Sequence, residues 1–171
     1  MAFFLALFSE TKFHIVAQPY SFHYNFSMKT IYSQIENIVD KSLPLVSNLA
    51  NVSAILFTLD NLNWAGFYLA KDNVLYLGPF QGEVACTKIP FGKGVCGTSA
   101  LKKETIIVPD VNQFVGHIAC SSKSKSEIVV PILKDNEVKA VIDIDAPILN
   151  RFGSQEKELL ENVANLLADL F

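Results

Sequence analysis

Hydrophobic residues follow a helical period at both ends of the chain. Near the N-terminus, Ile31, Ile35 and Ile38 recur every three or four residues, which predicts an amphipathic helix that ends or restarts at Pro44. At the C-terminus, Ser154 is the predicted N-cap of a second amphipathic helix. Its apolar stripe consists of Leu159, Leu160, Val163, Leu166, Leu167 and Leu170. That stripe is predicted to be core or interface rather than a cofactor site.

The middle of the chain consists of short apolar or alternating segments that are typical of strands. The predicted strands are residues 54–59, 64–70, 74–80, 105–108, 127–133 and 138–145, with a further short strand that ends at Ile89. The polar turns Lys71-Asp72-Asn73 and Lys134-Asp135-Asn136 join four of these strands as hairpins. Mostly antiparallel strands with helices at both ends indicate an α+β domain.

The length and composition fit one domain, or one domain plus an extension. Half of the 171 residues are hydrophobic, which is enough for a substantial core. The net charge of −3 provides no basic surface for nucleic acid. No apolar run reaches the roughly 18 residues that span a bilayer. We therefore expect a cytoplasmic protein without nucleic-acid or membrane partners.

Residues 1–27 differ from the rest of the chain in pattern. An apolar run at residues 3–8 follows no basic residue and is short for a signal peptide, and the aromatic residues after it show no clear period. Met28 then opens the well-patterned part. We predict an extension over residues 1–27 and the domain over residues 28–171. The origin of the extension stays open between an upstream start, a segment added to the natural chain and a part that docks on the domain.

Three cysteines lie in three separate loops or turns. Cys86 is in a loop that leads to a short strand, Cys96 is in the first turn of a helix predicted after a glycine-rich turn, and Cys120 is in a small polar loop. An odd number cannot all pair within the chain, and none is spaced as C-x-x-C. The spacings of the cysteines and His117 match no common ligand pattern, so no metal site is expected.

Two of these cysteines have sequence surroundings that favour a thiolate. Cys120 is followed by a predicted strand, and His117, Lys123 and Lys125 are near it in sequence. Cys96 would gain stabilisation from a helix N-terminus. Most single free cysteines are small buried hydrophobic residues, so these observations alone leave the attacking thiol open.

Several motifs in this order resemble the free methionine-(R)-sulfoxide reductases, which are GAF-domain proteins. They are Trp64-Ala65-Gly66-Phe67-Tyr68, residues 77–82, Ala85-Cys86, Gly94-Val95-Cys96-Gly97, residues 116–120, residues 126–131 and Asp143-Ile144-Asp145. The resemblance runs from about Met28 to the C-terminus. In one departure, Ser121 stands where the family often has an aspartate, so no carboxylate is available at that position.

The resemblance implies a single GAF-like domain that reduces free methionine (R)-sulfoxide. A thiolate attacks sulfur and becomes a sulfenic acid, and a second thiol resolves it as a disulfide. By resemblance Cys120 is the attacker, with Cys96 as the alternative, and Cys86 and Cys96 are candidate resolvers. No metal or organic cofactor is required, and thioredoxin is the expected reductant. The oligomeric state stays open, and a homodimer is one assembly that the sequence allows.

The resemblance also assigns the carboxylates and the single tryptophan to the site. Asp143 and Asp145 share one face of the last predicted strand, and Glu127 begins the neighbouring one. Without the resemblance, a solvated strand end would be favoured for the two aspartates. With it, we expect one of the three carboxyls to donate a proton and another to hold the substrate's ammonium group. Trp64 is expected to pack against the methyl or methylene part of the substrate.

A second function from another class is a non-catalytic GAF domain that senses a small molecule or mediates dimerisation. Such a domain does not need three cysteines in three loops or turns. It is also normally joined to an output domain, for which this length leaves no room.

Overall fold

The computed structural model describes residues 27–118 and 120–171. In this part of the chain, four α-helices surround a six-stranded sheet. The elements are α1 (Met28–Ile38), α2 (Leu45–Leu56), β1 (Trp64–Lys71), β2 (Val74–Gly82), β3 (Lys88–Pro90), α3 (Gly94–Lys102), β4 (Ile106–Val108), β5 (Ser126–Lys134), β6 (Glu137–Ala146) and α4 (Ser154–Ala168). The sheet order is β3-β2-β1-β6-β5-β4, and every neighbouring pair is antiparallel. The predicted α+β class is therefore confirmed.

The two faces of the sheet bury different clusters because strand side chains alternate. On the helix-packed face, the side chains of Phe67, Ile128, Ile142 and Ile144 join apolar residues of α1, α2 and α4. The opposite face, which we call the pocket face, carries a second cluster under α3 and the loops. It includes Trp64, Tyr68, Val95, Cys96, Val129 and Val141. One face thus holds most of the core, and the other is free to form a site.

Both long hairpins turn on the same dipeptide. Asp72 and Asn73 have φ values of 53° and 59°, and Asp135 and Asn136 have values of 53° and 61°. A two-residue hairpin turn of this kind needs positive φ at both central positions, which Asp and Asn tolerate better than other non-glycine residues. The predicted hairpins β1–β2 and β5–β6 are therefore confirmed, and the second one sets the register of the carboxylates described below.

Two local predictions are wrong. Residues 54–59 are not a strand, since Ala54–Leu56 form the end of α2 and the following residues are turns. This short apolar run fits either structure by itself, but the buried residues Leu49, Val52 and Leu56 lie on one helical face against the core.

The second wrong prediction concerns the start of α4. Gly153, rather than Ser154, is the N-cap of α4, and its backbone N–H donates to the Glu156 carboxylate at 2.9 Å.

At the N-terminus, the described residues begin with the cap of α1. The Ser27 hydroxyl accepts a hydrogen bond from the backbone N–H of Thr30 at 3.3 Å. The rest of the predicted extension, residues 1–26, lies outside the described residues. Among the helices that are described, none is long and apolar enough to cross a membrane.

Candidate active site

Three carboxylates meet on the pocket face where β5 and β6 pair. Glu127 of β5 is directly opposite Asp145 of β6, and Val129 is opposite Asp143. The side chains of Glu127, Asp143 and Asp145 line one pocket. Glu127 and Asp143 are only 6% exposed, and Asp143 Oδ1 is buried without a hydrogen-bond partner. These groups are therefore a buried cluster rather than a solvated strand end.

The cluster retains protons because burial, and then repulsion between the carboxylates, disfavours their ionised forms. Burial, and then the charges of Asp143 and Asp145, raise the pKa of Glu127 well above its usual value. Burial and the neighbouring Asp145 do the same to the pKa of Asp143. Burial raises the pKa of Asp145 to about 7, although a hydrogen bond with Ser124 works in the opposite direction. At neutral pH the cluster therefore holds at least one proton that could be donated to a ligand.

Cys96 lies against the carboxylates in the first turn of α3, as its position in the sequence predicted. Its Sγ is 3.9 Å from Glu127 Oε1. Gly97 permits close packing of α3 against β3, since a Cβ there would collide with the carbonyl oxygen of Pro90. Burial, and then the charges of Asp143 and Glu127, raise the pKa of the Cys96 thiol well above its usual value. The expectation of a thiolate stabilised by the helix is wrong here, because desolvation and two acids outweigh the helix dipole.

The other two cysteines form a disulfide. Cys86, between β2 and β3, is bonded to Cys120 of the long loop that precedes β5, with a Cα–Cα distance of 5.4 Å. An ion pair between Glu83 and Lys123 joins the same two loops. The disulfide and the ion pair therefore hold both loops together over the pocket face.

The long loop supplies much of the pocket wall, but not the expected lysines. His117, Cys120, Ser121 and Ser124 line the pocket together with Cys96 and the three carboxylates. Burial lowers the pKa of His117, whose Nε2 is 3.9 Å from Glu127 Oε2. Lys123 and Lys125 do not line the pocket and are exposed. This geometry therefore does not support the expectation that these two lysines stabilise a Cys120 thiolate.

Trp64 packs beneath the loop that carries Cys86. It is 3% exposed, and its ring stacks on Tyr68 and Phe80 with centroid distances of 5.8 and 5.3 Å. Its Nε1–H donates to the carbonyl oxygen of Glu83 at 3.2 Å. Trp64 thus supports the loop that carries Cys86, and with the disulfide closed it does not line the pocket.

One polar link was not predicted from the sequence. Asn63 Nδ2 donates to Ser124 Oγ at 3.0 Å, and Ser124 is in turn hydrogen-bonded to Asp145. Asn63 directly precedes β1, whereas Ser124 is in the long loop. No spacing along the chain signals such a contact, because it depends on β1 and β6 being neighbours in the sheet.

The pocket is small and chemically mixed. Its free volume is about 30 Å³, which is enough for one water molecule but not for an amino acid. One thiol and two carboxylates, those of Cys96, Glu127 and Asp143, offer ligand atoms that lie within 4.8 Å of one another. Spacing does not predict this group, because its members come from α3, β5 and β6.

Comparisons with known proteins agree on one family. The GAF domain model matches residues 34–169. The chain is 45% identical to the free methionine-R-sulfoxide reductase of Saccharomyces cerevisiae, over 93% of this chain and 95% of that protein. Residues 28–171 make up less than 93% of the chain, so this alignment reaches into the predicted extension.

Solved structures give the same result. The reduced form of fRMsr of Staphylococcus aureus is 47% identical, with a TM-score of 0.81, over 85% of this chain and 96% of that one. The free methionine-R-sulfoxide reductase of Neisseria meningitidis in complex with its substrate is 40% identical, with a TM-score of 0.76, over 84% of this chain and 85% of that one.

Proposed function

Because the chain belongs to the free methionine-R-sulfoxide reductase family of GAF-domain proteins, we propose that it reduces free methionine (R)-sulfoxide to methionine with its own thiols. The observation that carries the thiol chemistry is the Cys86–Cys120 disulfide beside a pocket lined by three carboxylates, of which Glu127 and Asp143 are buried. The expected compartment is the cytoplasm.

Cys120 is the proposed nucleophile. It lines the pocket, whereas Cys86 does not, and burial together with the neighbouring acids raises the pKa of the Cys96 thiol and keeps it protonated. The Cys120 thiolate attacks the sulfoxide sulfur while an acid protonates the sulfoxide oxygen, the sulfoxide S–O bond breaks, and the oxygen is transferred to the Cys120 sulfur as a hydroxyl. Methionine is released, and Cys120 becomes a sulfenic acid. A protonated thiol such as Cys96 is a poor nucleophile by comparison.

Cys86 is the proposed resolving thiol. Its sulfur attacks the sulfenic acid of Cys120, water leaves, and the disulfide that the structure contains is formed. This disulfide supports Cys86, rather than Cys96, as the thiol of the first resolution step. An external dithiol protein, for which we propose thioredoxin, then reduces the disulfide by thiol exchange.

The carboxylates are the proposed proton donors and ammonium ligands. As the sulfoxide oxygen departs it gains negative charge, and a protonated carboxyl beside it can neutralise that charge. Glu127 and Asp143 are the most buried of the three and retain protons best. Asp145 has a pKa of about 7 and is the better choice for the charged form that binds an ammonium group.

The closed pocket is consistent with the end of a catalytic cycle. A free volume of about 30 Å³ cannot hold methionine sulfoxide, so we infer that the two loops separate when the disulfide is reduced. The Trp64 indole lies under the loop that carries Cys86 and donates a hydrogen bond to the carbonyl oxygen of Glu83 in that loop. Opening of that loop would expose the indole to the substrate, in the role that the sequence predicted.

A coupled assay on separated epimers tests the proposal. The protein is incubated with thioredoxin, its reductase and either the R or the S epimer of free methionine sulfoxide, and methionine formation is measured. We expect turnover of the free R epimer and far weaker action on the S epimer and on a peptide-bound sulfoxide. Equal turnover of the peptide would contradict the proposed substrate, and no turnover of any sulfoxide would favour a sensor or dimerisation module.

A further inference from the structure

We propose that the buried group formed by Cys96, Glu127 and Asp143 binds one divalent cation that accepts thiolate ligands, typically Zn²⁺. The three side chains offer one sulfur and two carboxylate oxygens, and these ligand atoms lie within 4.8 Å of one another. Sulfur and oxygen donors of this kind are common around zinc. The cation is an added ligand that competes with protons for these groups.

An unpartnered oxygen points to a ligand in this place. Asp143 Oδ1 is buried in the pocket wall without a hydrogen-bond partner, although the residue is only 6% exposed. Leaving a buried polar atom without a partner is unfavourable, so such atoms tend to mark ligand or water positions. A cation between Asp143 and Cys96 would satisfy it directly.

The charges around the group also favour a cation. Glu127, Asp143 and Asp145 all line the pocket, and neither a lysine nor an arginine is among its described lining residues. His117 is the nearest basic side chain, and its Nε2 is 3.9 Å from Glu127 Oε2. At this distance from Glu127, the His117 imidazole is placed to serve as a fourth ligand.

The ligand atoms need to move only slightly to reach the spacing of a tetrahedral zinc site. Typical zinc distances of about 2.3 Å to sulfur and 2.0–2.2 Å to oxygen place neighbouring ligand atoms about 3.5 Å apart in a tetrahedron. The distance of 3.9 Å between Cys96 Sγ and Glu127 Oε1 is already close to that value. The free volume of about 30 Å³ accommodates one ion without opening the loops.

Occupation of this site would have a regulatory consequence. The cation would take the carboxyl oxygens that the proposed reaction uses as acids, so it would act as a competitive inhibitor. This consequence depends on the proposed function, whereas the binding itself does not. Methionine sulfoxide, through its ammonium group, would compete with the cation for the same carboxylates.

The disulfide-bonded protein provides a clean test, because Cys96 is then the only free thiol among the three cysteines. The full chain, oxidised, is titrated with Co²⁺ as a spectroscopic probe, and Zn²⁺ is then added. We expect one Co²⁺ per chain, a sulfur-to-cobalt charge-transfer band in the near ultraviolet, release of the thiol proton, and loss of the band when Zn²⁺ displaces Co²⁺. Since no other thiol is present, the wild-type band alone identifies Cys96.

Variants separate this site from ordinary surface binding. Cys96→Ser should abolish the band, and Asp143→Asn should weaken binding by at least about tenfold, which is the lower end for loss of a group that supports a metal site. Glu137→Gln, which changes an exposed acid of β6, should leave the titration unchanged. Absence of Co²⁺ binding to the oxidised wild type at millimolar concentration would overturn the proposal. Co²⁺ binding that shows no sulfur band and is unchanged in both Cys96→Ser and Asp143→Asn would also overturn it.

Discussion

The two faces of β6 show how one strand serves two opposed physical requirements. Ile142 and Ile144 are fully buried against the helices on the helix-packed face. Asp143 and Asp145, which alternate with them, line the pocket on the other face. Burial stabilises the fold on the first face, and on the second it raises the free energy of every ionised carboxyl.

The two faces of the sheet differ in how much their side chains contribute to stability. The buried aliphatic side chains contribute roughly 1.5–3 kcal/mol each, relative to leaving them exposed. The pocket face contributes less, since it contains carboxyls in place of well-packed hydrocarbon and an oxygen without a partner. Such a concentration of unfavourable groups is typical of a site where function, rather than stability, determines the residues.

The largest expected effect comes from the thiols of the pocket face. Cys120→Ser should abolish sulfoxide reduction even in a single turnover, because it removes the proposed nucleophile. Cys86→Ser is the matched control, since loss of a resolving thiol should leave one turnover but block cycling with thioredoxin. Rapid-quench measurement of methionine per chain distinguishes them. Full single-turnover activity in Cys120→Ser would instead make Cys96 the nucleophile.

A change on the opposite face should affect stability and leave the chemistry intact. Ile142→Ala removes a fully buried side chain and should lower the free energy of unfolding by about 2–5 kcal/mol. The rate of the chemical step in folded protein should be unchanged, because the residue points away from the pocket. Urea unfolding and single-turnover rates measure the two quantities. A large loss of rate in folded Ile142→Ala protein would show that the faces are not independent.

The carboxyls should affect the rate of sulfenic acid formation. Glu127→Gln, Asp143→Asn or Asp145→Asn should slow it by at least about tenfold, a cautious part of the range of 100- to 10,000-fold for general acid catalysis. In wild type the rate should fall at high pH, as the shared proton is lost from groups whose pKa values are raised. Single-turnover rate against pH is the measurement. Wild-type rates and an unchanged pH profile in all three variants would place the acid elsewhere.

The same carboxyls should make stability depend on pH. The pKa of Asp145 is about 7 in the folded protein and about 4 in an unfolded chain, so the folded state binds more protons between these values. The free energy of unfolding should therefore fall as pH rises from about 4 to about 7. Asp145→Asn should flatten this fall and stabilise the protein at pH 8 relative to wild type, with little change at low pH. Urea unfolding at pH 5 and pH 8 tests it, and a gain of equal size at both pH values would contradict it.

The smallest effect is expected from the predicted extension. Deletion of residues 1–26 should leave turnover and thermal midpoint intact, because the predicted extension has no pattern of its own. Deletion of residues 1–27 also removes the Ser27 cap of α1, and should lower stability by about 1 kcal/mol. The yeast alignment makes this an informative test, since it reaches into the extension. A large drop in midpoint or turnover in the shorter deletion would make the segment part of the domain.

Much of the sheet could be predicted because its signals are local. The Asp-Asn turns and the alternation along β6 depend on neighbouring residues and predicted both hairpins and the shared face of Asp143 and Asp145. The failure at residues 54–59 has the opposite cause. An apolar run of six residues satisfies a helix and a strand equally well, and only packing of α2 on the core distinguishes them.

Local patterns along the chain account for the alternating strands, the turns and the family motifs, and therefore for which residues are available for chemistry. The tertiary structure decided their relations: which two cysteines pair, that Cys96 lies among acids and keeps its proton, and that Trp64 supports a loop. The physical reason is that a pKa, a disulfide and a cation site depend on distances of a few ångströms. Those distances join α3, β5, β6 and two loops that are far apart along the chain.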